Sequence, residues 1–264
     1  MIRKILCSLG AMAALAVAAP AAAQGCPAKT VDDISASWLN ALAIGTPYRM
    51  NLGEWVDYKE NFKVASLGEF FSKERKVDWH VALKDTQSCR VLVETVILDP
   101  ERPLVFATQM DNGFFGTGPF HNLVTDAGDW QFDAAKTLEH VSSEDWGVIQ
   151  QGQRNTRADL QAAANAYLDH LADRSVTVPW AAQCARLDGS VYVEGADCTA
   201  GLPENVAAID RNFIIDDTIG AVGVFTRLGE AKIPASVLLR VEGGKIRYVH
   251  TLASCGTEAG CTIK

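Results

Sequence analysis

From Val77 to Lys84 the apolar residues Val77, Trp79, Val81 and Leu83 alternate with Asp78, His80, Ala82 and Lys84. That two-residue period is the pattern of a half-buried strand. CRVLVETVILD and LVFATQMDNG follow as further strands, and FHNLVTD with DWQFDAAKTLEHV reads as a last strand pair turning at Ala127-Gly128. LGEFFSKE reads as helical or irregular. Later in the chain NFIIDD, AVGVFTRL, SVLLRVEG and GKIRYVHTL repeat the strand pattern, with Glu242-Gly243-Gly244 as a hairpin signal. The helical period occurs twice. Ile34, Trp38 and Leu42 mark one amphipathic helix, with Asp32 or Asp33 able to cap its start and Gly45 its end; Leu160, Ala164, Tyr167, Leu168 and Leu171 mark another. His170, off that second face, is expected in solvent.

These two helices share a local pattern: SWLNALA at 37–43 and AYLDHLA at 166–172. Each precedes a loop-rich segment and then an antiparallel meander ending in a hairpin. The stretch from Glu144 to Arg157 has neither period. The reading is therefore α+β in two tandem domains, 25–145 and 157–264, joined by a linker at 146–156.

Arg3 and Lys4, an apolar run from Ile5 to Val17 and the small residues Ala21 to Ala23 predict a secretory signal over 1–24 and a periplasmic or secreted protein. Cys26 next to Gly25 raises lipid modification, but Ala23 stands where such signals usually carry Leu. Without Cys7 six cysteines remain, an even number that fits disulfides in an oxidising compartment. Spacing suggests Cys184–Cys198 and Cys255–Cys261, with Cys26–Cys89 left by elimination. No CxxC, HxH or HxxxH spacing points to a metal, so no metal or cofactor is expected. A net charge of −8 without a basic block disfavours nucleic acid as a partner. No later stretch is apolar for long enough to span a membrane.

A helix laid on a curved antiparallel sheet closes an apolar cone whose mouth can admit a small molecule. VPWAAQCARLDG, Cys198, NFIIDDTIGAVGVFTRLG and VLLRVEGGKIRYVHTL resemble a tandem exported group of the nuclear transport factor 2-like (NTF2-like) superfamily, which includes the SnoaL-like enzymes. The resemblance implies two tandem NTF2-like cones, each a long helix packed on a curved antiparallel sheet. It also implies a dry pocket in which a few ionisable side chains move protons without a cofactor. Within that superfamily the chain is similar to the lignin-dimer formaldehyde lyases, which convert a diarylpropane diol to a stilbene with loss of water and formaldehyde. A lyase or dehydratase acting on a hydrophobic aromatic small molecule is the expected function. A non-catalytic periplasmic binding protein and a SnoaL-like isomerase or cyclase are the alternatives, and a homo-oligomer built through exposed sheet faces is a further expectation.

Such chemistry needs an acid, a base and a cation beside a phenolate. Tyr58 or His80 could be the acid, and His80, Glu60 or Asp111 the base, with Asp78 fixing the His80 tautomer. Lys59 or Arg49 could hold the phenolate. Trp38, Trp79, Phe114 and Phe115 could supply aromatic walls, with His121 in the same glycine- and phenylalanine-rich segment, MDNGFFGTGPFH. In the second half Arg186 could clamp a ligand or hold its loop through Asp188, and His250, at the end of the last strand, is a further substrate-binding candidate. The exposed-loop reading of YKEN, the solvent-facing reading of His80 and the packing reading of the phenylalanine segment compete with these roles.

Overall fold

The computed structural model describes residues 25–113, 115–256 and 261–263, so the expected signal and Phe114 lie outside the described residues. The chain is α+β, with two six-stranded sheets and few helices. In the first half α1 (Ala28–Ile44) precedes β1 (Tyr58–Glu60), β2 (Lys63–Val64), α2 (Leu67–Phe70), β3 (Trp79–Asp85), β4 (Arg90–Ile97), β5 (Leu104–Gly113) and β6 (Gly116–Thr125). After α3 (Ala134–Val141), the second half repeats the series: α4 (Arg157–Ala172), β7 (Trp180–Asp188), β8 (Val191–Gly195), β9 (Ala208–Asp216), β10 (Ala221–Leu228), β11 (Ile233–Glu242) and β12 (Lys245–Ala253).

The sheets have matching orders, β2-β1-β6-β5-β4-β3 and β8-β7-β12-β11-β10-β9. Within each, the pair β1/β6 or β7/β12 is parallel and the rest antiparallel. Register makes positions in the two halves correspond. His121 pairs across to Lys59 as His250 pairs to Leu187, and each histidine is two residues before a leucine, Leu123 or Leu252. Leu123, Ala107 and Glu94 form a row across sheet 1, where sheet 2 has Leu252, Ser236 and Phe225.

Both helices bury the expected face: Trp38, Leu42, Leu160, Ala164, Tyr167 and Leu168 are at most 1% exposed. Their ends differ from expectation. Helix α1 starts at Ala28 after Pro27, so Asp32 and Asp33 lie inside it and do not cap it, while Gly45 does end it at φ 64°. Helix α4 is opened by a Thr156–Asp159 capping box. Residues 134–141, expected as strand, are helical because Asp133 accepts from Lys136 N, and Ala134, Thr137 and Val141 recur on one buried face. His170 is buried, with Nδ1 2.7 Å from Val176 O, and not solvated; the chain folds back over the last turn of α4 and covers it.

The face of each sheet away from its helix packs on the other sheet. Leu83, Leu92 and Leu123 meet Ile214, Phe225, Leu238 and Leu252 in one core. The surfaces that the sequence reading left open to an oligomer thus cover each other within one chain. Gly223 permits the approach, since a Cβ there would lie 2.5 Å from Leu92 Cδ1. Polar ties border this core. Arg157 binds Asp85 through two donors at 2.8 and 2.6 Å, Ile215 N also donates to Asp85, and Lys84 N donates to Asp216. The stretch between the halves is a strap rather than a loose tether: Ile149 N donates to Thr218 O, and Arg240 donates to Gly147 O.

Cys184–Cys198 and Cys255–Cys261 are disulfide-bonded, which fits an exported protein. Cys26 and Cys89 are instead free thiols in hydrogen-bond contact, with burial and the Cys89 neighbour raising the Cys26 pKa to about 11. Among the described residues no helix is long and apolar enough to cross a membrane.

Candidate functional site

Ionisable groups come together on the helix-covered face of sheet 1. Period-two geometry turns Phe106, Thr108 and Met110 of β5, and Phe120, Asn122 and Val124 of β6, toward α1. Next to β6, the parallel pairing of Tyr58 with Phe120 and Glu60 with Asn122 puts a tyrosine and a carboxylate in the same row. The result is a chain of hydrogen bonds. Thr108 Oγ1 donates to Asn122 Oδ1 at 2.9 Å, Asn122 Nδ2 donates to Tyr58 Oη at 3.0 Å, and Tyr58 Oη donates to Glu60 Oε2 at 3.1 Å. Burial raises the Tyr58 pKa further than the Asn122 bond lowers it, and Glu60 adds to the rise. Tyr58 is therefore a protonated donor at neutral pH.

Aromatic rings enclose this chain. Trp38 stacks on Phe70 and Phe120 with centroids 6.0 Å apart in both pairs and meets Phe71 edge-on at 5.1 Å, while Tyr58 is 6.2 Å from Phe70. Helix α2 brings Phe70 inward, with Ser66 capping it through Glu69 N. Arg75 lies 5% exposed, its guanidinium 5.4 Å from the Phe70 centroid. Its Nη2 donates to Phe70 O, while its Nε and Nη1, like Trp38 Nε1, have no acceptor among the described residues. Burial lowers its pKa, and a guanidinium remains charged through such a change.

The structure joins Tyr58 and Glu60 and sets the other first-half residues elsewhere. His80 does lie on the helix-covered side, as its pairing with Thr95 requires, but it is exposed on β3, with three strands between it and β1. Burial, then Lys84, lowers its pKa. Asp78 does not fix its tautomer, since Asp78 accepts from Lys76 and from Leu98 N. Lys59 pairs with Asp57 at 2.9 Å on the opposite face from Tyr58, and Arg49 is exposed. Asp111 binds Arg90 at 2.6 Å, and half-buried His121 lies near both, its pKa lowered by burial and then by Lys59. Phe115 is 66% exposed.

In the second half the corresponding row is occupied by an ion pair. Where β1 carries Tyr58 and Glu60, β7 carries Arg186 and Asp188, facing Val249 and Thr251. Arg186 donates to Asp188 at 2.8 Å, to Ala200 O at 2.8 Å and to Cys198 O. Burial raises the Asp188 pKa against the pull of Arg186. These donors are spent on holding the disulfide loop over the helix-covered face.

His250 lies on the other side of sheet 2, between the halves. Its Nδ1 is 2.6 Å from Glu94 Oε1 and its Nε2 2.7 Å from Glu144 Oε2, with all three side chains at most 2% exposed. Trp79, expected as a pocket wall, packs here with its centroid 6.1 Å from the imidazole, and Trp146 lies edge-on at 5.2 Å while donating to Glu144. Burial alone would lower the His250 pKa, but Glu144 and Glu94 push it up to about 10.

Arg75, Asn122, Glu94 and Glu144 escaped the sequence reading. Glu94 carried a signal, as the one charge within the apolar run VLVETVIL; Arg75 did not, since KERK has the look of a solvated charge run. Among the described residues no group of three or more His, Cys, Asp or Glu side chains is placed to hold a metal. A family model described as a domain of unknown function (DUF8021) matches residues 153–253. No protein with a curated description matches this chain.

Proposed function

We propose that the first half is an NTF2-like cone that performs acid–base chemistry, without a cofactor, on a hydrophobic aromatic small molecule, as a lyase or dehydratase. One observation carries this reading: the Thr108–Asn122–Tyr58–Glu60 chain, buried up to Tyr58 and half-buried at Glu60, passes Phe70 beside a buried guanidinium with two donor atoms that no described residue matches. Arg75 takes the role first given to Lys59 or Arg49, holding a phenolate oxygen. Tyr58 protonates a departing benzylic hydroxyl, which leaves as water and gives a quinone methide. Glu60 then takes the proton of a primary alcohol as its carbon leaves as formaldehyde, and the electron pair of the broken carbon–carbon bond completes a stilbene. A lignin-derived diarylpropane diol has this arrangement of groups. The second half, with Arg186 and Asp188 committed to each other and to the loop, stabilises the first.

The packing of Phe70 and Phe71 against Trp38 favours a second reading, a binding protein without chemistry in which a ligand displaces α2 from the same face. Purified protein incubated with aromatic diols and assayed for formaldehyde separates the two. Turnover is expected to fall at least ~100-fold in Tyr58→Phe and in Arg75→Gln while His80→Ala keeps it. Turnover unchanged in both Tyr58→Phe and Arg75→Gln rules out the proposed site, and the absence of formaldehyde with every diol favours the binding reading.

A further inference from the structure

A groove of about 510 Å³ runs between the halves on the far side of Glu60, a volume suited to a small molecule. Its first wall is the turn between β1 and β2. Glu60 pairs with Lys63, so Asn61 and Phe62 form a two-residue turn, both left-handed at φ 50° and 64°. Asparagine adopts that conformation readily; for a phenylalanine it costs about 1–2 kcal/mol. The corresponding turn of the second half, Gly189–Ser190, places a glycine in its left-handed position and has no aromatic. Phe62 is held where it is by the other half, with its ring 6.4 Å from Phe225 and the Arg227 guanidinium 4.8 Å above it. A strained aromatic kept at a groove wall is the kind of feature that binding sites retain.

Charge points the same way. On a chain of net charge −8 the described residues lining this groove include Lys63, Arg227 and Lys232 against one carboxylate, Glu60. Arg227 is partly neutralised by Asp210 at 2.9 Å, whereas Lys63 and Lys232 have no ion-pair partner among the described residues. Lys232 is fixed at φ 53° in a turn closed by its N–H to Gly229 O, so its side chain leaves the backbone from a set point. At the floor Asn61 Nδ2 donates to Ser254 Oγ at 2.8 Å, and the Ser254 hydroxyl is hydrogen-bonded to Asp129.

We propose that this groove binds a small aromatic carboxylate, its ring against Phe62 and Pro234 and its carboxylate between Lys63 and Lys232. A monoanion suits the site better than a phosphate dianion, because the Glu60 carboxylate in the same wall repels the second charge. The site shares the Glu60 carboxylate with the proposed chemistry, but its ligand contacts, Phe62, Pro234, Lys63 and Lys232, stand apart from Tyr58 and Arg75.

The test is calorimetric titration of the full mature chain with benzoate, benzyl alcohol and inorganic phosphate. Benzoate is expected to saturate one site per chain, about tenfold or more tighter than either other probe, and to weaken as salt is raised. The double variant Lys63→Gln/Lys232→Gln, altered only at exposed side chains, should lose about tenfold in benzoate affinity and most of the salt dependence. Tyr58→Phe should leave benzoate binding as it is, which separates failure of this site from failure of the proposed chemistry. Absence of saturable benzoate binding, equal affinity in the double variant, or phosphate binding as tightly as benzoate would each overturn the assignment.

Discussion

His250 donates one ring nitrogen to Glu94 of the first half and the other to Glu144 of the segment that leads to the second. Only an imidazolium can donate from both nitrogens, so the charged ring joins three stretches of chain at the centre of the molecule. Its pKa in the fold is about 10 against an ordinary value of 6.5. Because the folded value is the higher one, the stabilisation is fully present below pH 6.5 and is lost as pH rises through about 10. Urea unfolding is expected to show stability falling over that interval. Glu94→Gln, which removes one of the two carboxylates that raise the folded value, should make the fall smaller and end it at lower pH.

Removing the imidazolium alone leaves two buried carboxylates facing each other. His250→Leu should therefore cost about 3–5 kcal/mol, whereas the triple change Glu94→Leu/His250→Leu/Glu144→Leu should recover most of it, since no charge remains buried. Denaturant midpoints of the two variants, with equal slopes, check the order.

Asp85 acts at the rim of the same interface. It accepts two bonds from Arg157, one from Ile215 N and one each from Gln87 N and Ser88 N. Burial opposes its charge, but Arg157 and the backbone donors hold its pKa below the usual carboxylate range. Asp85→Ala should cost about 3 kcal/mol or more and raise cleavage between the halves under limited proteolysis.

The Cys26 and Cys89 thiols are close enough to share a hydrogen bond. Mild oxidation of the mature chain should join them with loss of two hydrogen atoms, measured as a mass decrease of about 2 Da, with little change in circular dichroism. Cys89→Ser should abolish that decrease and leave the other two disulfides intact.

Much of the fold was legible because helix and strand periods are set by burial. Trp38 and Tyr167 fall in one pattern, and the alternation from Val77 to Leu83 survives as strand β3. The segment after Asp133 misled because Trp130 and Phe132 continue an apparent alternation into what Asp133 begins as a helix. Period also cannot say what lies beyond a face. Trp79 and His80 were correctly set on opposite sides of β3, but that Trp79 would meet a second sheet, and His80 open solvent at its edge, depends on tertiary packing. Tyr58 and Glu60 stood two apart in sequence and so shared a face. Arg75 reaches them only because α2 folds Phe70 inward and carries the following turn with it.

The matching strand registers make this chain, in effect, a dimer whose two subunits are covalently joined. In a dimer of identical subunits, a glutamate placed at the position of Glu94 would also appear across the axis, and two buried carboxylate clusters would have to be neutralised at once. Here one half carries Glu94 and the other carries Phe225 at the corresponding position, so the charge is set against a single imidazolium. Within one chain the two halves therefore carry different residues at matching positions, with Tyr58 and Glu60 in one half where the other has the Arg186–Asp188 ion pair.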